Sequence, residues 1–342
     1  MRDIVLVTVD SLRADHVGWH GYDRNTTPNL DKRAGNAEMF RAAFSHACST
    51  RPSFPSIMTS SYALEYGGFQ RISSNRITIA ELLKEAGYET AGFHSNLYLS
   101  ADFGYDRGFI SFFDSKSDPG IIAKVRQKIK TNFDSDGRVY GLLQQAFNET
   151  EKQAGIELGS AYVDAQEITD RALAWAASTS KAPRFLWVHY MDVHHPYVPP
   201  SRHQRRFRNE PVNNRDAIQL RRKMLESPGR ITDAEFETLI DLYDSEIAYV
   251  DEQVERLIDT LQTEWDSDLV IAFTADHGEE FLDHGEFSHG ATFHEEVMHV
   301  PLFVETGGEE GGENDDLVGL MDLAPTLAYA ANVERPEIYR GH

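Results

Sequence analysis

The feature that most narrows the fold is a set of short runs dominated by apolar and β-branched residues, at 4–9, 90–94, 185–190, 269–274 and 299–305. Segments with helical periodicity alternate with them. Continuous apolar runs of this length suit strands buried on both faces, and their alternation with helices predicts a sheet covered on each side. Residues 78–86 carry Ile79, Leu82, Leu83 and Ala86 at helical spacing, with Gly87 as a stop before the strand at 90–94. A helix over 160–179 leads into the strand at 185–190. The longest helix is predicted over 233–264, where Phe236, Leu239, Ile240, Tyr243, Ile247, Val250, Val254, Leu257, Ile258 and Leu261 recur by threes and fours. One face of it is expected to be buried and the other acidic.

At 342 residues, with 41% hydrophobic and 11% aromatic residues, the chain can build one large core, so residues 1–342 are expected to form a single α/β domain. The polar, weakly periodic stretches near 115–160 and 200–232 are expected to be insertions over the sheet.

Asp and Glu number 55 against 33 Lys and Arg, a formal charge of −22 that would repel a phosphate backbone, so nucleic acid is not expected as a partner. Such acidity, with Arg outnumbering Lys, also fits adaptation to high salt. Cys48 is the only cysteine, which excludes an intrachain disulfide and points to a reducing compartment, so the cytoplasm is the expected location. The run at 4–9 is too short for a signal peptide and ends on Asp10. No stretch approaches the roughly 18 apolar residues of a membrane span. Oligomeric state is not legible.

In open α/β sheets, sites form beyond the C-terminal ends of the strands. Asp10 ends the first run. Asp276 and His277 follow the run at 269–274. Asp192, His194 and His195 follow the run at 185–190, and Thr50 precedes Pro52 and Ser53 at a helix start. Each has a bland reading: the aspartates as helix caps, Thr50 as a turn former, and His16 and His20 as satisfied loop histidines. Glu279, Glu280, Asp283 and His284 read more readily as a solvated acidic loop than as ligands. Arg51 is either an anion holder or a surface charge.

Taken together, VTVDSLRADHVGWHGYDRNTTPNLD, TRPSFPSIMTS, ELLKEAGYETAGFHSN, GYDRGFISFFD, YMDVHHPYVPP, TADHGEEFLDHGEFSHG with HVPLFV, and MDLAPTL resemble the sulfatases of the alkaline phosphatase superfamily, in the family's order. The resemblance implies an alkaline-phosphatase-like three-layer sandwich, a mostly parallel central sheet with helices on both faces. It implies Asp10, Thr50, Asp276 and His277 around one divalent metal ion, with Thr50 in the nucleophile position. By the same analogy His194 and His289 contact the substrate and serve the leaving group, and Arg51, beside Thr50, is a further candidate for holding an anionic substrate. Relatives usually continue into a C-terminal subdomain, expected here to be short or absent.

The departures from the family pattern concern substrate and metal. Sulfatases of the formylglycine type carry Cys or Ser in C/S-x-P-S-R, but this chain reads Thr50-Arg51-Pro52-Ser53-Phe54. Threonine cannot yield the aldehyde. Cys48 sits two residues early and is assigned a structural role, and Ser11 replaces the second acidic ligand. A histidine and a hydroxyl among the ligands favour Zn or Mn, with Ca or Mg as alternatives. The pattern resembles relatives that use threonine as the nucleophile, among them phosphodiesterases and phosphoethanolamine or glycerol-phosphate transferases. The expected activity is hydrolysis of a sulfate or phosphate ester on a small molecule, carbohydrate or lipid. The alternatives are transfer of a phosphoryl group to an alcohol, and an inactive binding protein of the same fold.

Overall fold

The computed structural model describes residues 1–115, 162–179, 183–265, 268–307 and 311–342. Its centre is an eight-stranded sheet. The strands are β1 (Asp3–Val9), β2 (Glu38–Phe44), β3 (Glu89–His94), β4 (Ser111–Phe113), β5 (Arg184–Tyr190), β6 (Leu269–Ala275), β7 (Leu302–Thr306) and β8 (Gly312–Gly319), in the spatial order β4-β3-β5-β1-β6-β7-β2-β8. All five expected strands form, with ends shifted by at most three residues. The polar β8, GENDDLVG, has no apolar alternation to announce it, because it lies exposed on the sheet edge where charged side chains deter further pairing.

Every residue of β1, β5 and β6 is buried, which explains their unbroken apolar character. β1 pairs in parallel with both β5 and β6, and β3 with β5. β7 runs antiparallel to both β6 and β2, so β2 points the same way as β6. The C-terminal ends of β1, β2, β3, β5 and β6 therefore share one edge of the sheet.

Among the described residues, the α-helices of seven residues or more are α1 (Pro28–Ala34), α2 (Thr50–Thr59), α3 (Ile79–Glu85), α4 (Ala165–Ser178), α5 (Asn214–Glu226), α6 (Asp233–Trp265) and α7 (Leu323–Ala330). Side chains alternate across β5, and this separates the helical layers. Trp187 and His189 meet Phe54 of α2, with ring centroids 5.7 and 5.0 Å apart. Tyr190 points the other way and shares a 2.8 Å hydrogen bond with Thr169 of α4. α3 and α7 join the α2 layer, and α6 joins α4. One apolar cluster runs through the sheet and both layers, from Ile4 to Tyr339.

α3 starts on a reciprocal cap in which the Glu81 N–H donates to Thr78 Oγ1 at 3.1 Å and the Thr78 N–H to Glu81 Oε2 at 3.0 Å. α6 departs from the expected division of its faces. Asp244, Glu246 and Asp251 lie buried on it because donors from other segments of the chain reach each of them. Asp244 receives His16 Nδ1 and the Tyr22 hydroxyl, both at 2.8 Å. Asp251 receives the Asn29 and Leu30 amides at the start of α1, and Glu246 the Val198 amide.

Of the two expected insertions, 115–160 lies outside the described residues except for Ser115. The segment 200–232 contributes α5, which buries Ala217 and Met224 within the core cluster, so it is more than a cover. Among the described residues, no helix is long and apolar enough to cross a membrane.

Candidate active site

Three parallel strand ends set the frame. The Asp10 amide donates to Tyr190 O at 2.9 Å and the Asp276 amide to Val9 O at 3.2 Å, so both aspartates leave the sheet from adjacent strands. Gly278 closes on the segment after them. Its amide donates to Val297 O at 2.7 Å, and a Cβ there would overlap the Glu296 carbonyl oxygen, so only glycine fits. Thr50 arrives from β2 as the first residue of α2. The first turn of this helix carries no side-chain cap, leaving its amide dipoles free to face an anion.

The four expected ligand residues meet. Thr50 Oγ1 lies 3.1 Å from Asp10 Oδ2 and 3.4 Å from His277 Nε2. His277 Nε2 lies 3.6 Å from both Asp10 Oδ1 and Asp276 Oδ2. Tetrahedral donors held at about 2.0–2.1 Å from one ion stand about 3.4 Å from each other, which is the spacing found here. His277 Nδ1 is 2.8 Å from the Gly278 carbonyl and donates to it, so Nε2 carries the lone pair. Asp276 Oδ2 is buried and has no hydrogen-bond partner among the described residues. These residues fit a divalent cation by donor type, spacing and the orphaned oxygen.

The electrostatics agree. Burial, and then the charge of Asp10, push the Asp276 carboxyl well above its ordinary range. Burial alone would raise Asp10 too, but His194, His189 and His277 outweigh it and hold Asp10 well below. Burial, with His289 beside it, brings His277 down to about 3, which keeps the ring neutral and able to ligate. A cation among the carboxylates relieves their mutual repulsion.

Asp10, Asp276 and His277 are fully buried, whereas Thr50 is 6% exposed, so the threonine is the least enclosed of the four. His289 and His194 stand beside the cluster. The His289 ring centroid lies 4.3 Å from that of His277 and 5.1 Å from that of His194. Arg51 stands over Tyr98 at 4.9 Å and Phe103 at 5.6 Å and donates to Gln70 Oε1, so its charge rests in an aromatic bracket beside the helix start.

Several contributors escaped the sequence reading. Asn96, just past β3, donates from Nδ2 to Asp10 Oδ2 at 3.0 Å. The Ser11 hydroxyl donates to Asp10 Oδ1 at 2.9 Å, so the residue that replaces an acidic ligand orients the remaining one. His189, inside β5, brings Nε2 to 3.5 Å from Asp10 Oδ2 while Nδ1 engages Thr8 Oγ1 at 3.0 Å. Asn96 and His189 each occupy or follow the end of a buried strand, the signal that would have flagged them.

The acidic loop is not solvated at its start. Glu279 is fully buried, facing His289 Nδ1 at 3.1 Å through one oxygen and receiving the Tyr197 hydroxyl at 3.2 Å on the other. Glu280 is buried as well, whereas Asp283 and His284 are exposed. His16 is satisfied as expected, but His20 Nε2 is buried without a hydrogen-bond partner among the described residues. Phe54, in the position of the family arginine, is core.

The profile of the Sulfatase family matches residues 2–333. Human iduronate 2-sulfatase is 24% identical over 98% of this chain and 70% of its own length. The structure of a phosphonate monoester hydrolase of Agrobacterium radiobacter superposes with a TM-score of 0.69 at 18% identity, covering 99% of this chain and 79% of that one. The C-terminal periplasmic domain of EcEptC from Escherichia coli, solved in complex with Zn, superposes with a TM-score of 0.65 at 15% identity, covering 96% of this chain and 81% of that one.

Proposed function

The chain belongs to the sulfatase family, and from that premise we propose that it hydrolyses a sulfate or phosphate ester with Thr50 as the attacking group, phosphoryl esters being favoured. The observation that carries this reading is the Thr50 hydroxyl within the donor cluster, 3.1 Å from Asp10 and 3.4 Å from His277. Threonine cannot be converted to the formylglycine on which Cys- or Ser-type sulfatases depend, so the unmodified hydroxyl must serve. The names of similar proteins span sulfate, phosphonate and phosphoethanolamine chemistry, a range consistent with either ester.

Asp10, Thr50, Asp276 and His277 would hold one divalent cation, with zinc or manganese suited to this mixture of nitrogen, carboxylate and hydroxyl donors. Such an ion, when bound, lowers the pKa of a neighbouring hydroxyl and offsets charge on the group under attack.

The residues then divide the work. The Thr50 proton leaves along its hydrogen bond to Asp10 Oδ2 as the threonine oxygen bonds to phosphorus or sulfur. The bond to the ester oxygen breaks, and His289 delivers its proton to the departing alkoxide. Burial disfavours charge on His289, but the Glu279 carboxylate outweighs it and raises the imidazole above its ordinary value, as an acid requires. Water then attacks the threonine ester, giving its proton to His289, and Asp10 Oδ2 returns the first proton to Thr50 Oγ1 as its bond to phosphorus or sulfur breaks and phosphate or sulfate departs. The amides opening α2 and the Arg51 guanidinium favour the anion throughout.

The test is a panel of nitrophenyl sulfate, phosphate and phosphodiester substrates with zinc or manganese, on the native chain and Thr50→Ala. Turnover should vanish in the variant while its melting temperature stays near native, and a quenched reaction should yield a modified Thr50 peptide by mass spectrometry. Native turnover in Thr50→Ala would end the proposal. Products formed with and without an added alcohol separate hydrolysis from transfer.

A further inference from the structure

A second donor cluster lies outside the catalytic group. Glu280, His284 and His294 each offer one ligand atom, and these atoms all fall within 4.8 Å of one another. An equilateral triangle at that limit places its centre about 2.8 Å from each donor, so side-chain shifts of about 0.7 Å bring all three to a zinc bond of about 2.1 Å.

The cluster is built as metal ligands are. The two imidazoles stack at 8°, with centroids 3.5 Å apart, so the rings lie side by side, and rotation about their side-chain bonds would turn both lone pairs onto one ion. His284 Nδ1 lies 2.7 Å from Glu296 Oε1. That carboxylate fixes the tautomer and leaves Nε2 as the free donor, the support that ligating histidines ordinarily have. Glu280 is 1% exposed, and its Oε1 receives the amides of His284 at 2.9 Å and Glu286 at 3.1 Å, so its position is fixed by backbone. Two nitrogens and one carboxylate are the donors of a zinc site with room for a further ligand, and too few oxygens for calcium.

The location gives the cluster a consequence. Glu280 follows Glu279, which holds His289, and its carbonyl receives the Ser288 amide at 3.1 Å. The turn between them passes through left-handed backbone at Leu282 (φ 62°) and Ser288 (φ 75°). An ion joining residues 280 and 284 to residue 294 therefore closes both ends of the loop that carries His289.

We infer that Glu280, His284 and His294 form a second divalent-metal site, selective for zinc-like ions, that clamps this loop. The inference is independent of the catalytic reading, because the two donor sets share no residue.

Zinc content after equilibrium dialysis tests it, in the native chain, in Asp276→Asn and in His284→Ala/His294→Ala. Both histidines are at least partly exposed, so the double variant should fold. Loss of one zinc equivalent relative to native in the double variant is expected, and an unchanged content overturns the proposal. In the Asp276→Asn background zinc should still raise the melting temperature, and adding the two histidine substitutions should abolish that rise. Persistence of the rise also overturns the inference, whereas failure of the catalytic reading leaves both measurements as they are.

Discussion

Glu279 and His289 form a 3.1 Å carboxylate–imidazole pair beside the catalytic cluster, with the carboxylate wholly buried and its other oxygen taken by the Tyr197 hydroxyl. The carboxylate does two things to the ring. It fixes Nδ1 as the donor to Glu279, turning Nε2 outward, and it stabilises the protonated form against burial.

A general acid must be protonated to act, so activity falls as pH rises through its pKa. With His289 as the proposed acid, its raised value should extend activity toward alkaline pH. Glu279→Gln removes the charge and retains the shape, so the alkaline limb of the kcat profile should move to lower pH while the melting temperature holds. His289→Ala should cost about 10²–10⁴-fold in kcat. An unmoved alkaline limb in Glu279→Gln would remove His289 from the acid role.

Asn96 holds Asp10 from outside the donor cluster at 3.0 Å, and its own Oδ1 receives the Tyr98 amide at 2.9 Å. Asn96→Ala frees the Asp10 carboxylate to rotate. Metal affinity should fall about 10–100-fold, read by competition with a chromogenic chelator, with the fold retained.

Phe54 marks the limit of the family analogy. The ring is fully buried between Trp187 and His189 and carries no role in anion binding. Phe54→Ala should therefore destabilise the protein by about 3–5 kcal/mol through the cavity it leaves, measured by urea unfolding. Phe54→Arg should destabilise further by burying an unpaired charge, and it should not raise turnover of sulfate esters above the native level.

As a proposed metal ligand, Asp276 should link metal binding to stability. A carboxyl whose pKa is raised on folding keeps its proton above the unfolded value, so stability is greatest at low pH and falls as pH rises from the unfolded pKa toward the folded one. In chelator-treated protein, Asp276→Asn should raise the melting temperature at neutral pH and matter little in acid. With metal present the order should reverse, because the native carboxylate then has its cation. Calorimetry of both proteins, with and without chelator at two pH values, reads all four states.

Local chemistry in the chain determined a good deal. Strands buried on both faces must be continuously apolar, so β1, β5 and β6 stand out. A chain leaving such a strand must change to polar residues, so Asp10, Asp276 and His277 stand out after it. The helix at 233–264 was legible because one side of a long helix has to meet the core. Thr50 was found through its neighbours Pro52 and Ser53 and their family likeness, since a single hydroxyl in a loop carries no signal of its own.

Only the tertiary structure decided which polar groups lose their water. Glu279 and Glu280 sit in a charged stretch that reads as solvated until Tyr197, His289 and two backbone amides close over them. Asp244, Glu246 and Asp251 are on the buried side of α6 because donors far away in the chain reach them. Asn96 and His189 acquire their meaning from Asp10, at separations of 86 residues and more. Hydrophobic period is a property of neighbours in sequence, whereas desolvation and pairing are properties of neighbours in space. The strands could be read from the chain, and the company each ionisable group keeps could not.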